Sequence, residues 1–331
     1  MRFLKLAVLA LSTALAWTAS ANANAQQTVR ITNIGHGYYA GPLYVAMREN
    51  LFAKHGLKAD VTFVQGGALT FQSVFTREAD FGVLSYEHIL TAAAQGRNLV
   101  SIFNVTHRPL NNIVVSNALY EANHGKSLKD RILALKGKRI GTPSAGGSGE
   151  KMLTVLARQH GLQLPGDIEL VYLGAEAAAY VGAFQNKLID AAMPFEPAGV
   201  QVEIQKLGKT LVNLMNGEVP EFRDLNFMTV AAHPATIAEK PDLVRKVAAA
   251  FAEAQKILLD EKRGMAIMGQ EFSTMSPEAN KMAYDVVKQI WSADGRMSLE
   301  GGKKVFEYLK PPGDKPIEYE KTFTNDFLPK S

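Results

Sequence analysis

Residues 28–64, TVRITNIGHGYYAGPLYVAMRENLFAKHGLKADVTFV, carry the pattern on which the fold turns. Apolar and polar residues alternate from Thr28 to Ile34, as in a half-buried strand. Gly35 to Gly41 is a turn, and Pro42 opens a helix at a position where its missing N–H is not needed. That helix is expected to run to His55, where Gly56 stops it, and Leu57 to Val64 forms the next strand.

The same alternation continues outward. It predicts a helix from about Ala68, a strand Phe81 to Leu84, a helix Glu87 to Gln95 and a strand Leu99 to Val105. Helices of this length between strands imply βαβ units and a mostly parallel sheet, an α/β class. A second cycle opens after Asn111. Its strands are Ile113 to Ser116, Lys138 to Gly141, Ile168 to Tyr172 and Ile189 to Met193. The helices between them are Ser127 to Leu135, Ser148 to His160 and Glu176 to Asn186. From His233 the periodicity is nearly all helical. In Pro241 to Asp260, Leu243, Val247, Ala250, Phe251 and Ile257 share an apolar side, and Asp242, Glu253 and Lys256 lie on the polar one. The Pro-rich tail from Pro311 reads as a surface strap.

Composition narrows the function. The chain has 331 residues, 47% apolar and 21% charged, enough for a sizeable core. It has no cysteine, which removes disulfides, thiolate nucleophiles, Cys-ligated zinc and iron–sulfur clusters. Residues 1–25 have the three parts of a secretory signal: Arg2 and Lys5, an apolar run from Leu6 to Ala19, and small residues at Ala21, Ala23 and Ala25. The run is too short to span a bilayer. Without Arg2 and Lys5 there remain 34 Lys and Arg against 32 Asp and Glu, with no basic cluster, which argues against nucleic acid as partner. The expected mature protein starts at Gln26 and is soluble and periplasmic. No two of the seven histidines have the spacing of a zinc pair, so no metal is expected.

Several segments, in order, carry a resemblance. They are Gly41-Pro42-Leu43-Tyr44-Val45-Ala46, Asn50 to Leu57 (NLFAKHGL), Gln65-Gly66-Gly67, Ala79-Asp80-Phe81-Gly82, Leu135 to Gly141 (LKGKRIG), Tyr172-Leu173-Gly174, and Ile189-Asp190-Ala191-Ala192 running into Phe195-Glu196-Pro197. Together they resemble the nitrate/sulfonate/taurine-type (SsuA/TauA-like) substrate-binding proteins of ABC transporters. The resemblance implies a two-lobed periplasmic binding protein fold of type II, with two hinge crossings and a helical C-terminal part. Lobe one is then 26–112 with 227–331, and lobe two is 113–226. The crossings are expected near Asn111 to Ser116 and Asn226 to Ala231. The implied protein is a non-catalytic receptor without cofactor, a monomer that delivers a small molecule to an inner-membrane ABC permease. Two other classes stay open. One is an enzyme on the same fold, since relatives of this architecture include menaquinone-pathway enzymes, sulfinate desulfinases and thiamine-pyrimidine synthases. The last two depend, as the resemblance has it, on a cysteine that this chain lacks. The other is a sensor that presents its ligand to a receptor kinase.

The ligand is expected beyond the carboxyl ends of the strands, between the lobes. His36, Tyr38 and Tyr39 lie on the first such loop. Its GxGxxA pattern lacks the distal acidic residue of a dinucleotide site. Gly66 and Gly67 follow the second strand, and Tyr86 and Glu87 follow the third. His107 follows the fourth. Thr142, Ser144, Gly147 and Ser148 lie on a Gly-rich loop that opens a helix, a ready acceptor-binding site that is neither a Walker A motif nor a nucleophile elbow. Glu176, Phe195 and Glu196 complete the set. Glu87 and Glu196 read equally as carboxylates that start helices. Arg108 is the one strong cation among or beside these loops, so an aromatic or heterocyclic solute is expected, stacked on Tyr86 or Phe195 and bonded by Glu87 or Glu196; a sulfonate, nitrate or carboxylate held by helix-terminal amides near Ser144 to Gly149 stays open as the alternative.

Overall fold

The computed structural model describes residues 26–64, 66–309 and 315–330; residues 1–25, expected as a secretory signal, Gln65 and the start of the expected strap at 311–314 lie outside them. Ten strands follow in chain order: β1 (Gln27–Asn33), β2 (Leu57–Phe63), β3 (Phe81–Ser85), β4 (Val100–Thr106), β5 (Ile113–Ser116), β6 (Arg139–Thr142), β7 (Glu169–Tyr172), β8 (Ala191–Ala192), β9 (Gly208–Val212) and β10 (Met228–Ala232). They build two five-stranded sheets, ordered β2-β1-β3-β10-β4 and β7-β6-β8-β5-β9. In the first, β10 runs antiparallel to both neighbours, while β1 is parallel to β2 and β3. In the second, β5 is the reversed strand and β6 is parallel to β7 and β8. This is the α/β two-lobed binding-protein architecture.

The chain passes from one lobe to the other through residues 107–112 and returns through 213–227. After each passage it enters the interior of a sheet. Central β3 reads FGVLS and is buried throughout, as a strand covered on both faces must be, whereas edge strand β2 buries little beyond Leu57. The two lobes repeat one device that the sequence does not advertise. Arg30 on β1 donates Nε to Asp80 Oδ2 at 3.1 Å, just before β3; Arg139 on β6 does the same to Asp190 Oδ2 at 3.3 Å, just before β8. Burial works against both carboxylates, yet the arginine bonds hold them below their ordinary range.

Two differences from the sequence reading have local causes. The helix expected over 42–55 is two, Gly41–Arg48 and Leu51–Lys54, because Asn50 turns left-handed at φ 54°. Asparagine tolerates that conformation better than most side chains. Strand β9 and the helix Ala198–Ile204 were not expected; both are short, below the length at which periodicity speaks. The helix Pro241–Leu259 buries Leu243, Val247, Ala250, Phe251 and Ile257 against lobe one. It lies so close to the helix Gly41–Arg48 that a Cβ at Gly41 would stand 2.7 Å from Leu258. The tail returns along β4, where Ser101 N–H donates to the Thr322 carbonyl at 2.9 Å and Thr324 N–H donates back to Ser101 at 2.8 Å.

Candidate functional site

The strand ends of the two sheets face each other, and the loops that follow them meet in a buried polar seam. The helix Tyr86–Ala93 begins directly after β3 and the helix Ser148–Gln159 begins shortly after β6. Glu87, in the first turn of the former, accepts a hydrogen bond at 3.0 Å from Lys151 Nζ, in the first turn of the latter. This ion pair joins the lobes. The Glu87 side chain is only 4% exposed, and its second oxygen, Oε2, has no partner among the described residues.

Around the pair the packing is close. His88 Nε2 lies 3.6 Å from Glu87 Oε1, and its ring rests on Gly67, where a Cβ would fall 2.1 Å from Nε2. Burial, the largest effect, lowers the His88 pKa, so the ring is neutral at neutral pH. Ser148 Oγ donates to Asn111 Oδ1 at 3.3 Å, and Asn111 Nδ2 donates to the Met193 and Pro194 carbonyls at 3.0 and 2.9 Å. Asn111 also bridges Phe195, whose ring stands 5.6 Å from that of Tyr39. A backbone bond from Tyr38 N–H to the Glu196 carbonyl, 3.2 Å, crosses the same seam. Asn33, at the end of β1, is fully buried; its Nδ2 donates to the Gly35 carbonyl at 2.6 Å and its Oδ1 is unpartnered. Thr142 Oγ1 is likewise buried, and neither it nor Asn33 Oδ1 has a partner among the described residues.

Beside the seam a cleft of about 670 Å³ opens between the lobes, bounded by His36, Glu176, Gln201, Gln205, Glu271 and Phe272. His36 packs on Tyr44, Phe63 and Phe272 and pairs with Glu271 at 2.9 Å. Arg48 holds the other Glu271 oxygen at 2.7 Å. Burial opposes ionisation of Glu271, but these two bonds keep its carboxyl below the ordinary range.

The structure therefore gathers Tyr39, Gly67, Glu87, Ser148 and Phe195 at the seam, with Gly66 at its edge, and puts His36 and Glu176 at the cleft opening. Other candidates are used differently. Tyr86 is fully buried with its hydroxyl shared with Thr322 Oγ1, inside lobe one, so its ring has no open face for stacking. Burial raises its pKa to about 12. Tyr38 is also buried; its hydroxyl donates to Asn280 Oδ1 and its ring stacks on Phe272 at 4.4 Å. The Glu196 carboxylate turns back to its own helix, accepting the Val200 N–H at 2.9 Å. His107 sits at the start of the first crossing, its backbone bonded to Ile290 and Leu225. Ser144 is exposed, and Gly147 donates its N–H to the Ser144 carbonyl. The Gly146 N–H is taken by Glu150 Oε2 at 2.9 Å, so the chain supplies its own anion to that loop.

Arg108 is no cleft cation. Its Nη1 donates to the Met215 carbonyl at 3.1 Å and to that of Gln289 at 3.4 Å, tying the two crossings together beside the bond from Met215 N–H to Asn112 Oδ1. The cation of the seam is Lys151. The sequence held a signal for it: a lysine in a helix's first turn opposes the dipole and calls for a nearby carboxylate.

Fold and seam define a two-lobed protein whose lobes meet over buried polar groups. The chain belongs to the NMT1/THI5-like family, whose signature matches residues 38–263. It is 22% identical over 232 residues to the putative binding protein YtlA of Bacillus subtilis, covering 69% of this chain and 65% of that one. It is 23% identical over 304 residues to the 4-amino-5-hydroxymethyl-2-methylpyrimidine phosphate synthase of Uromyces fabae, covering 88% and 84%. Among solved structures, a Bordetella bronchiseptica protein superposes with a TM-score of 0.77 at 22% identity, over 91% of this chain and 95% of that one. The periplasmic aliphatic sulphonate binding protein SsuA of Escherichia coli follows with 0.68 at 17%, over 89% and 97%.

Proposed function

We propose that the protein is the solute receptor of an ABC importer, capturing a small organic molecule between its lobes and delivering it to an inner-membrane permease. The observation that carries this reading is the interlobe seam, in which Glu87 and Lys151 meet from opposite sheets across two crossings. Relatives that the names describe as binding proteins support it. Residues 1–25 fit export and release as a free periplasmic monomer, and among the described residues no helix is long and apolar enough to cross a membrane. Intact-mass measurement of native protein starting at Gln26 checks the export step. A mass that retains Met1 to Ala25 refutes it.

The enzyme reading draws on the match to the Uromyces synthase. It is opposed by the absence of cysteine, the residue on which the resemblance rests that chemistry. Both readings are separated by one experiment. The mature protein is mixed with a small-molecule extract of its host, and X-ray scattering follows its radius of gyration. A receptor contracts as lobes close about 107–112 and 213–227, and releases a ligand of unchanged mass on denaturation. An unchanged radius refutes the receptor; a chemically altered ligand establishes the enzyme.

A further inference from the structure

At the seam the buried atoms without a partner among the described residues lean toward acceptors: Glu87 Oε2 and Asn33 Oδ1 only accept, and the Thr142 hydroxyl can donate or accept. The charged side chains that an anion would call on are engaged by acceptors of the chain itself, though Arg108 Nε is left without one among the described residues. Arg108 is held by the Met215 and Gln289 carbonyls, and His36 and Arg48 by Glu271. The Gly146 amide goes to Glu150, and Lys151 to Glu87. Acceptors are left over. Glu87 Oε2 and Asn33 Oδ1 are buried without a donor among the described residues, and a buried carboxylate oxygen in that condition is costly.

The group already resting on Glu87 shows what the position accommodates: an ammonium, brought by the opposite lobe. His88 adds no positive charge there, because burial keeps it neutral. Phe195 is half-buried along the same seam and offers ring surface to the apolar body of a bound molecule, with the buried Tyr39 packed behind it.

Resting on the receptor reading above, we infer that the solute is an organic cation whose ammonium or amidinium group pairs with Glu87, in competition with Lys151. Lys151 thus acts as an internal stand-in for the ligand's charge. An amidinium suits the place well, since its parallel N–H groups match both carboxylate oxygens. A sulfonate or nitrate would confront Glu87 and find Lys151 and Arg48 already engaged, with only the neutral Thr142 hydroxyl open to it among the seam side chains described above.

Benzamidine and benzenesulfonate form a matched pair of probes, equal in ring and opposite in charge. Calorimetric titration is expected to show benzamidine binding to the mature protein and benzenesulfonate failing to bind. Lys151→Met removes the competing ammonium and is expected to tighten benzamidine about tenfold, while Glu87→Gln weakens it at least tenfold. Circular dichroism melts confirm that each variant is folded, and Lys151→Met alone suffices if Glu87→Gln is not. Benzenesulfonate binding that disappears in Lys151→Met overturns the inference, because Lys151 is then an anion anchor. Benzamidine binding indifferent to Glu87→Gln overturns it too, as does absence of benzamidine binding in Lys151→Met. The scattering experiment keeps the two readings apart. Contraction with host extract alongside failure of benzamidine removes only the cation; no contraction with the extract removes the receptor.

Discussion

Glu196 gives the sharpest test of the structural reasoning, because its environment and its linkage to stability can be worked through. Burial, aided by nearby Glu203, pushes its carboxyl from the ordinary 4.5 up to about 7, against the opposing amides of Val200 and Gly199. The unfolded chain releases this proton near pH 4.5, whereas the folded protein keeps it until about pH 7. Between those values the folded state binds more protons, so stability falls as pH rises and the loss is complete above the folded pKa. At about 1.4 kcal/mol per pH unit, the gap corresponds to ~3 kcal/mol. Glu196→Gln keeps a carbonyl acceptor for Val200 but cannot ionise. Urea unfolding of both proteins, followed by circular dichroism at pH 4.5, 6, 7 and 8.5, should show the wild type losing ~3 kcal/mol relative to the variant across the series. Contributions from titrating groups that do not interact with Glu196 cancel in that difference. Parallel stability curves would refute the reasoning and mean that the Glu196 carboxyl ionises as it does in water.

Tyr86→Phe should cost about 1 kcal/mol of stability through the lost bond to Thr322, measured by urea unfolding, and leave solute affinity within about twofold; a tenfold loss of affinity would put Tyr86 in the site after all. Arg108→Ala should cost about 2 kcal/mol, since a charged group leaves two carbonyls of different segments. Arg108→Lys should restore at most part of it, because an ammonium lacks the guanidinium fork. A loss for the alanine variant below about 0.5 kcal/mol would show that the crossings are held by other contacts.

The fold was legible because period and punctuation agree along most of the chain. Gly35, Gly56 and the Gly-rich stretch at 143–149 sit at strand or helix ends, edge strands such as β2 alternate, and the interior strands β3, β5 and β10 are strongly apolar. The reversed strands β5 and β10 could be seen as β-like pieces, though their insertion between parallel strands could not, since pairing partners leave no mark in a single sequence. At the site, the sequence located strand ends and left side-chain direction undetermined. Tyr86 and Glu87 are adjacent on one helix turn, yet one points into the lobe and the other into the seam. Glu196 follows β8 as expected, and its carboxylate still prefers the amides of its own helix. Lys151 and Asn111 take their places at the seam through Glu87 and Ser148, residues far away in the chain that a single sequence does not pair with them.

The reversed strand β10 has a consequence for how the chain matures. Strands β5 to β9 form one uninterrupted stretch, so the second sheet can be completed by local segments alone. The first sheet has a gap between β3 and β4 that only β10 fills, and β10 arrives more than a hundred residues after β4. During synthesis the N-terminal strands must therefore wait, with the facing edges of β3 and β4 unpaired, until all strands of lobe two have emerged. A chain in that interval is open to holding factors and to aggregation. When β10 docks, the facing edges of β3 and β4 are paired together, and the outer edge of β4 is left for the still later segment at Thr322 to Thr324.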